Sequence, residues 1–263
     1  MIVRIRAALA VIIPPMKSSI VTPRVLRWLE NGRPARVLNL FDEVCNLADD
    51  TGDVISLVTA RVGPGPFSMI VDGTFTNNLD ARMPVAVDPH TQTLTIGPLT
   101  ITSKRAAVWN PKPEWRILAK DASLNLTLPP MLETEIVEPL LQLLGGIKHG
   151  STAECRSGAY RLAGLGQGLT PAGDDVLIGI LYGLWVWYPR EEWMRLIVET
   201  AVPRTTTLSA AFLRAAADGE ATIHWHNLVN GRMNAMNQIL AIGSTSGRDA
   251  WAGFTYLGRH FRN

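Results

Sequence analysis

Cysteine is nearly absent: Cys45 and Cys155 are the only two in 263 residues, far apart and in no metal or redox spacing. That excludes a disulfide-framed secreted scaffold and a cysteine-built zinc site. Two buried free thiols in a reducing cytoplasm are expected rather than a lone disulfide. Charge is also sparse. Lys, Arg, Asp and Glu make up 18% of the chain and net to +2, and the basic residues are scattered. No basic stripe is present, so nucleic acid is not an expected partner. No apolar run reaches the length that spans a bilayer, so no membrane helix is expected. Residues 1–13 superficially resemble a signal peptide, but the apolar stretch is short, ends at Pro14-Pro15 and lacks a small-x-small cleavage site. A first strand or short helix of the fold is expected there, in a cytoplasmic protein. No Ser-His-Asp order and no Cys-His pairing stands out either.

What is present is a globular composition, 47% hydrophobic with eight Trp, enough to bury a proper core. Thr22-Pro23, then Val25, Leu26 and Leu29 on one face, then Asn31-Gly32, predict a short helix. From Arg36 the apolar period becomes two. Residues 37–41, 54–59, 67–71, 85–87 and 93–96 are strand-like and are separated by Asp-Asp-Thr-Gly, Gly-Pro-Gly-Pro, Asp-Gly and Gly-Pro turns. Short strands at this spacing predict a small antiparallel barrel or sandwich. Pro111 and Pro113 lack the N–H donors of a central strand and mark a boundary. Beyond it Leu132, Ile136, Leu140 and Leu144 fall four apart with Pro139 as a kink, and helices are expected at 173–188, 190–201, 206–217, about 226–241 and 248–260. The fold class is α+β: an extension over 1–34, a β-rich domain over 35–112, and a mainly helical domain over 113–263. Trp185, Trp187 and Trp193 either line a subunit interface or fill the core.

The most informative stretch is 164–175, with glycine at 164, 166, 168 and 173, then Asp174 and Asp175, running into an apolar helix. No Lys-Ser or Lys-Thr follows the glycines, so this is not a Walker A loop, and the spacing is wrong for a dinucleotide fingerprint. The helix starts either at Thr170-Pro171, as cap and first-turn proline, or at Gly173 with both carboxylates in the first turn. Either start leaves backbone N–H groups at a helix mouth, which suits an anion; the plain alternative is a tight loop before a well-capped helix. A weaker echo follows: Gly173-x-Asp175-x-x-x-Gly179 is matched by Gly247-x-Asp249-x-x-x-Gly253. A glycine one turn into a helix costs about 1 kcal/mol against alanine. Two of them suggest a close helix crossing that brings both loop–helix starts together. The combined site then holds backbone donors at Gly166, Gly168, Leu169, Gly173 and Gly247. Beside them stand the Thr170, Thr245 and Ser246 hydroxyls and the Asp174, Asp175 and Asp249 carboxylates. One of Asp174 and Asp175 is expected to face the site and the other to cap or pair. Magnesium, held by whichever faces it, is the natural ion if a metal assists. Thr207 and Ser209, following Arg204, Thr205 and Thr206, form another hydroxyl-rich helix entrance, read either as an N-cap or as an anion clamp. His224 and His226 lie two apart with no third ligand nearby, and packing is expected of them rather than metal binding.

The pattern Gly-Leu-Gly-x-Gly-Leu-Thr-Pro-x-Gly-Asp-Asp over 164–175 resembles the signature of the AllH family, subunits of oxamate carbamoyltransferase in allantoin and purine breakdown. Thr206-Thr207-Leu208-Ser209 with Ala215 and Gly219, and 243–249 with Gly253, fit the same family, so the resemblance spans most of 150–258. Over 35–100 it is looser, resting on segments such as Gly63-Pro64-Gly65-Pro66-Phe67. It implies a subunit acting on a small carbamoyl-bearing acid with phosphate or carbamoyl phosphate, converting oxalurate and phosphate to oxamate and carbamoyl phosphate beside partner subunits. Two rivals stay open: a non-catalytic metabolite- or nucleotide-binding assembly subunit, and a metal-assisted hydrolase or transferase of another substrate class.

Overall fold

The computed structural model describes residues 16–76, 79–121, 124, 126 and 132–262. The first strand or helix expected over 1–13 lies outside them. The first half of the chain forms β1 (Met16–Val21), helix α1 (Pro23–Asn31), β2 (Ala35–Leu40), β3 (Val44–Asp49), β4 (Val54–Val58), β5 (Ser68–Val71), β6 (Val85–Asp88), β7 (Thr93–Ile96), β8 (Leu99–Thr102) and β9 (Ala107–Val108). The second half carries α2 (Arg116–Ala119), α3 (Thr134–His149), α4 (Thr152–Leu162), α5 (Ala172–Trp187), α6 (Glu191–Ala201), α7 (Thr207–Ala217), α8 (Ile223–Val229), α9 (Ala235–Leu240) and α10 (Ser246–Phe261). The α+β class and its order, barrel then helices, stand as the periodicity predicts.

The strands run β5-β4-β3-β2-β6-β7-β8-β1, and an antiparallel β1–β5 pairing closes eight of them into a barrel. β9 extends the far end of β1, and its line continues where the Trp109 N–H donates to the Val21 carbonyl at 2.8 Å. Most pairings are antiparallel; β1 with β8, β1 with β9, and β4 with β5 are parallel. Period two explains the interior: Leu94 and Ile96 on β7, and Leu99 and Ile101 on β8, point in while their neighbours stay partly exposed. α1 adds Val25, Trp28 and Leu29 to the same core, and Gly32 in the left-handed region ends it as Asn31-Gly32 predicts. The sheet thus draws a stave and a core helix from residues ahead of Arg36, where the alternating pattern begins.

β3, β4 and β5 differ from the other staves in being buried on both faces. Cys45, Leu47, Ile55 and Leu57 fill the barrel, while Ala48 and Val54 pack outward with Phe67 against Leu208 and Ala215 of α7. This contact seats the helical region on one wall of the barrel. Its core is α5, buried over 173–184 and crossed most closely by α10. Trp193 lies in that core, and Trp185 and Trp187 pack against it. Cys45 and Cys155 are free and buried, and burial pushes both thiols up to about 12. The single helix expected over about 226–241 is instead two, α8 and α9, because Gly231 and Asn234 both take positive φ (63° and 62°) and turn the chain.

A charged contact also ties the halves together. Arg24 on α1 donates from Nη2 to Asp218 at 2.5 Å and from Nε to Glu220, whose side chain is 9% exposed. Arg24→Ala is expected to cost about 2 kcal/mol in denaturant unfolding, because a carboxylate stays buried without its cation. Glu220→Gln in the Arg24→Ala background is expected to recover part of that loss.

Candidate functional site

The crossing of α5 and α10 explains the glycine echo. A Cβ on Gly179 would stand 1.8 Å from the Ala250 carbonyl oxygen, and one on Gly253 would stand 2.0 Å from that of Val176. The contacts are reciprocal, so the two helices meet backbone to backbone about a local pseudo-two-fold. The relation extends to their starts. The Gly173 N–H donates to Leu165 and the Gly247 N–H to Ile242, at 2.9 and 3.0 Å. A Cβ on either glycine would collide with a carbonyl of the preceding helix, Leu162 or Ile239. Both loop–helix entrances are thereby pressed together, and the Thr170 and Ser246 hydroxyls share a 2.9 Å hydrogen bond.

α5 begins at Ala172 with Pro171 as its cap residue, which puts Asp174 and Asp175 in the first turn. Their side chains go separate ways, as adjacent helical positions must. Asp174 accepts from the Gly164 N–H at 2.9 Å and from the Thr205 hydroxyl, fixing the glycine loop to the entrance of α7. Burial raises its carboxyl above the ordinary range against those bonds. Asp175, 4% exposed, points into a cleft of about 590 Å³ between the barrel wall and the helices. Its Oδ2 has no hydrogen-bond partner among the described residues. Burial pushes it up to about 8, the Ser246 and Thr170 hydroxyls oppose that, and the Asp249 and Asp174 charges add to it. Asp249, on the equivalent turn of α10, is raised chiefly by burial and also keeps an unpartnered Oδ2.

Thr170, Asp175, Ser246 and Gly247 line this cleft together. The other expected residues do not. Gly166, Gly168 and Leu169 lie on the exposed surface, Gly173 is packed under Leu162, and Thr245 is exposed at the start of α10. The α7 entrance also points elsewhere. The Thr206 hydroxyl caps that helix by accepting from the Ser209 N–H and itself donates to the Leu169 carbonyl. Thr207 meets Gly52, and Ser209 is fully buried. Arg204 stacks over the Tyr160 ring at 3.4 Å and donates to the Tyr160 carbonyl.

The opposite wall was not legible in the sequence. Asn46 on β3 and Ser56 on β4 face the cleft, joined by a 2.5 Å hydrogen bond, and Glu43 and Arg61 also line it. The Gly63-Pro64-Gly65-Pro66 loop closes one side, held because the Ile223 N–H donates to the Pro64 carbonyl at 2.9 Å. That loop is the signal that could have found this wall, being rigid and unlike an ordinary hairpin turn. His224 lines the cleft too, with Nδ1 unpartnered, while His226 packs on Trp109 at 4.6 Å; one helix sends them apart. Burial lowers both histidines below their ordinary value. Tyr182 completes the floor, stacked on Trp115 at 4.9 Å. Size and lining suit a small-molecule site, apolar walls with a few convergent polar groups.

Residues 162–257 match the family model of the oxamate carbamoyltransferase subunit AllH, and residues 17–108 match that of the AllH family N-terminal domain, together most of the chain. No curated protein and no solved structure matches it. Among the described residues no helix is long and apolar enough to cross a membrane, and no group of three or more His, Cys, Asp or Glu could hold a metal ion.

Proposed function

Because the chain belongs to the AllH family, we propose that it is the carbamoyltransferase subunit that holds a small carbamoyl-bearing acid of the oxalurate or oxamate type in this cleft. Phosphate or carbamoyl phosphate is the co-substrate. The observation that carries this reading is the convergence of Thr170, Ser246 and a buried, unpartnered Asp175 at the start of α10. A carbamoyl group offers two N–H donors and one carbonyl acceptor. The free carboxyl oxygen of Asp175 suits the donors, and the two hydroxyls suit the acceptor. An Asp175 pushed up to about 8 is neutral at pH 7, so it bonds a substrate amide without repelling a nearby anion. The phosphate belongs at the α10 entrance, where Gly243, Ser246 and Gly247 face the cleft and the helix dipole favours negative charge. Attack of a phosphate oxygen on the carbamoyl carbon of an oxalurate-type acid then builds charge on the carbonyl oxygen, within reach of the same hydroxyls. Collapse breaks the C–N bond, and oxamate leaves with its nitrogen taking the proton that the attacking phosphate gives up. If magnesium accompanies the phosphate, Asp175 is the carboxylate open to it, since Asp174 already holds Gly164 and Thr205.

A second reading, a non-catalytic assembly subunit, is favoured by one observation. The Gly173 and Gly247 N–H groups already serve the chain's own carbonyls, which leaves fewer donors for an anion. Thermal shift of the purified chain separates the two. Oxamate, phosphate or carbamoyl phosphate at a hundred times its dissociation constant stabilises by about 2.7 kcal/mol, a rise of several degrees. Thr170→Ala and Asp175→Asn are expected to abolish that rise. An unchanged midpoint with all three ligands sinks the carbamoyl-acid reading and leaves the assembly role.

A further inference from the structure

The charge lining the cleft is uneven. Glu43, Arg61, Asp175, Tyr182 and His224 are its ionisable residues among those described. Burial keeps the Asp175 and Tyr182 acids protonated and the His224 ring neutral at pH 7. Formal charge is thus confined to Glu43 and Arg61, and Arg61 is the one permanent cation of the described lining. Its side chain is 81% exposed, so it stands at the mouth, whereas Asp175 is buried.

The Glu43–Arg61 pair orients the cation without using it up. Arg61 donates to Glu43 from Nε at 2.6 Å and from Nη2. Thr59 holds Glu43 in turn, through its hydroxyl at 3.2 Å and through a 3.1 Å bond from its N–H to the Glu43 carbonyl. One edge of the planar guanidinium is therefore fixed. The Nη1 edge makes no hydrogen bond among the described residues and is free for a second carboxylate. An anionic acid entering a cleft whose interior is neutral meets, among the described residues, a single cation at the rim.

From this geometry we infer that Arg61 selects for a carboxylate and sets the direction of the ligand, with the acid end on Arg61 at the mouth and the amide end at Asp175, Thr170 and Ser246. Glu43 acts as a positioning residue behind Arg61. The inference rests on the carbamoyl-acid reading of the cleft given above.

Calorimetry with oxamate and with oxamide, its neutral diamide analogue of the same size, tests it on the purified chain. Wild type is expected to prefer oxamate by about tenfold, the effect of one hydrogen-bonded charge at a wet rim. Arg61→Ala should weaken oxamate by that factor and leave oxamide unchanged, with Arg61→Lys in between. The Arg61 side chain is exposed, so its truncation leaves the fold in place, and an unchanged circular dichroism spectrum checks this. Equal oxamate affinity in wild type and Arg61→Ala overturns the inference while keeping the cleft. A parallel loss of both ligands in Arg61→Ala overturns it as well, by showing a structural role. Failure of wild type to bind either compound overturns the reading of the cleft, and the inference with it.

Discussion

Alanine at Gly179 or at Gly253 is expected to destabilise the protein by about 3 kcal/mol or more and to lower its thermal midpoint by roughly 6–12 °C. Helix propensity alone predicts the opposite, since alanine exceeds glycine by about 1 kcal/mol within a helix. The crossing reverses the sign. The new Cβ would stand 1.8 Å from the Ala250 oxygen or 2.0 Å from the Val176 oxygen, and both are backbone atoms that no rotamer change can move aside. Only separation of α5 from α10 relieves the clash. That movement opens the 4.8 Å ring contact of Trp187 on α5 with Phe254 on α10 and pulls Thr170 away from Ser246. The double variant should lose less than the sum of the singles, because helices already parted by one methyl accommodate the second. Gly145→Ala is the control: it lies in α3 with nothing within 4 Å of the new Cβ, and a gain of up to about 1 kcal/mol is expected there. Denaturant unfolding of the four variants decides the matter. Wild-type stability in Gly179→Ala would mean that the helices do not cross as described.

The same crossing was partly legible from sequence, because a glycine one turn into each of two helices has few causes other than close approach. Helices with a one-sided pattern or clear punctuation were legible too, as α1 shows with its Thr22-Pro23 entry and Gly32 exit. β3 was not. Buried on both faces, it has no polar-out alternation, and the polar Asn46 within it reads as a turn residue until Ser56 is placed beside it. α4 escaped for a related reason. It is short and weakly amphipathic, and its Gly158 looks like a breaker, although that glycine is where the backbone of α3 comes closest. The hydroxyl cluster at 205–209 illustrates a different limit. Thr205 and Thr206 hold Asp174 and the Leu169 carbonyl rather than face the cleft, and type and spacing alone cannot tell a clamp for a ligand from a clamp for the chain. Arg61, Asn46 and Ser56 join a site whose other wall lies more than a hundred residues away, brought together by tertiary contacts such as Phe67 against α7 and the Ile223 N–H on the Pro64 carbonyl.

Asp175→Asn is expected to make the protein more stable at alkaline pH while removing its ligand response. The sign follows from linkage. The carboxyl is pushed from an ordinary 3.8 up to about 8 in the folded chain, so folding favours its protonated form. Its stabilising contribution is fully present below about pH 4 and is lost as pH rises through 8. Between those values this group alone lowers wild-type stability by about 1.4 kcal/mol per pH unit. Asp174 and Asp249 are also raised and act in the same direction. Asparagine keeps the shape and cannot ionise. Variant and wild type should therefore unfold alike near pH 4 and differ by on the order of 5 kcal/mol at pH 9, with the variant ahead. At about 2–4 °C per kcal/mol for a chain of this size, the gap is easily read from melting curves at several pH values. A stabilising change at a buried polar position is the mark of a group kept for function at a cost to the fold. If the variant melted lower than wild type at pH 9, Asp175 would be an ordinary structural carboxylate, ionised and paired in the fold.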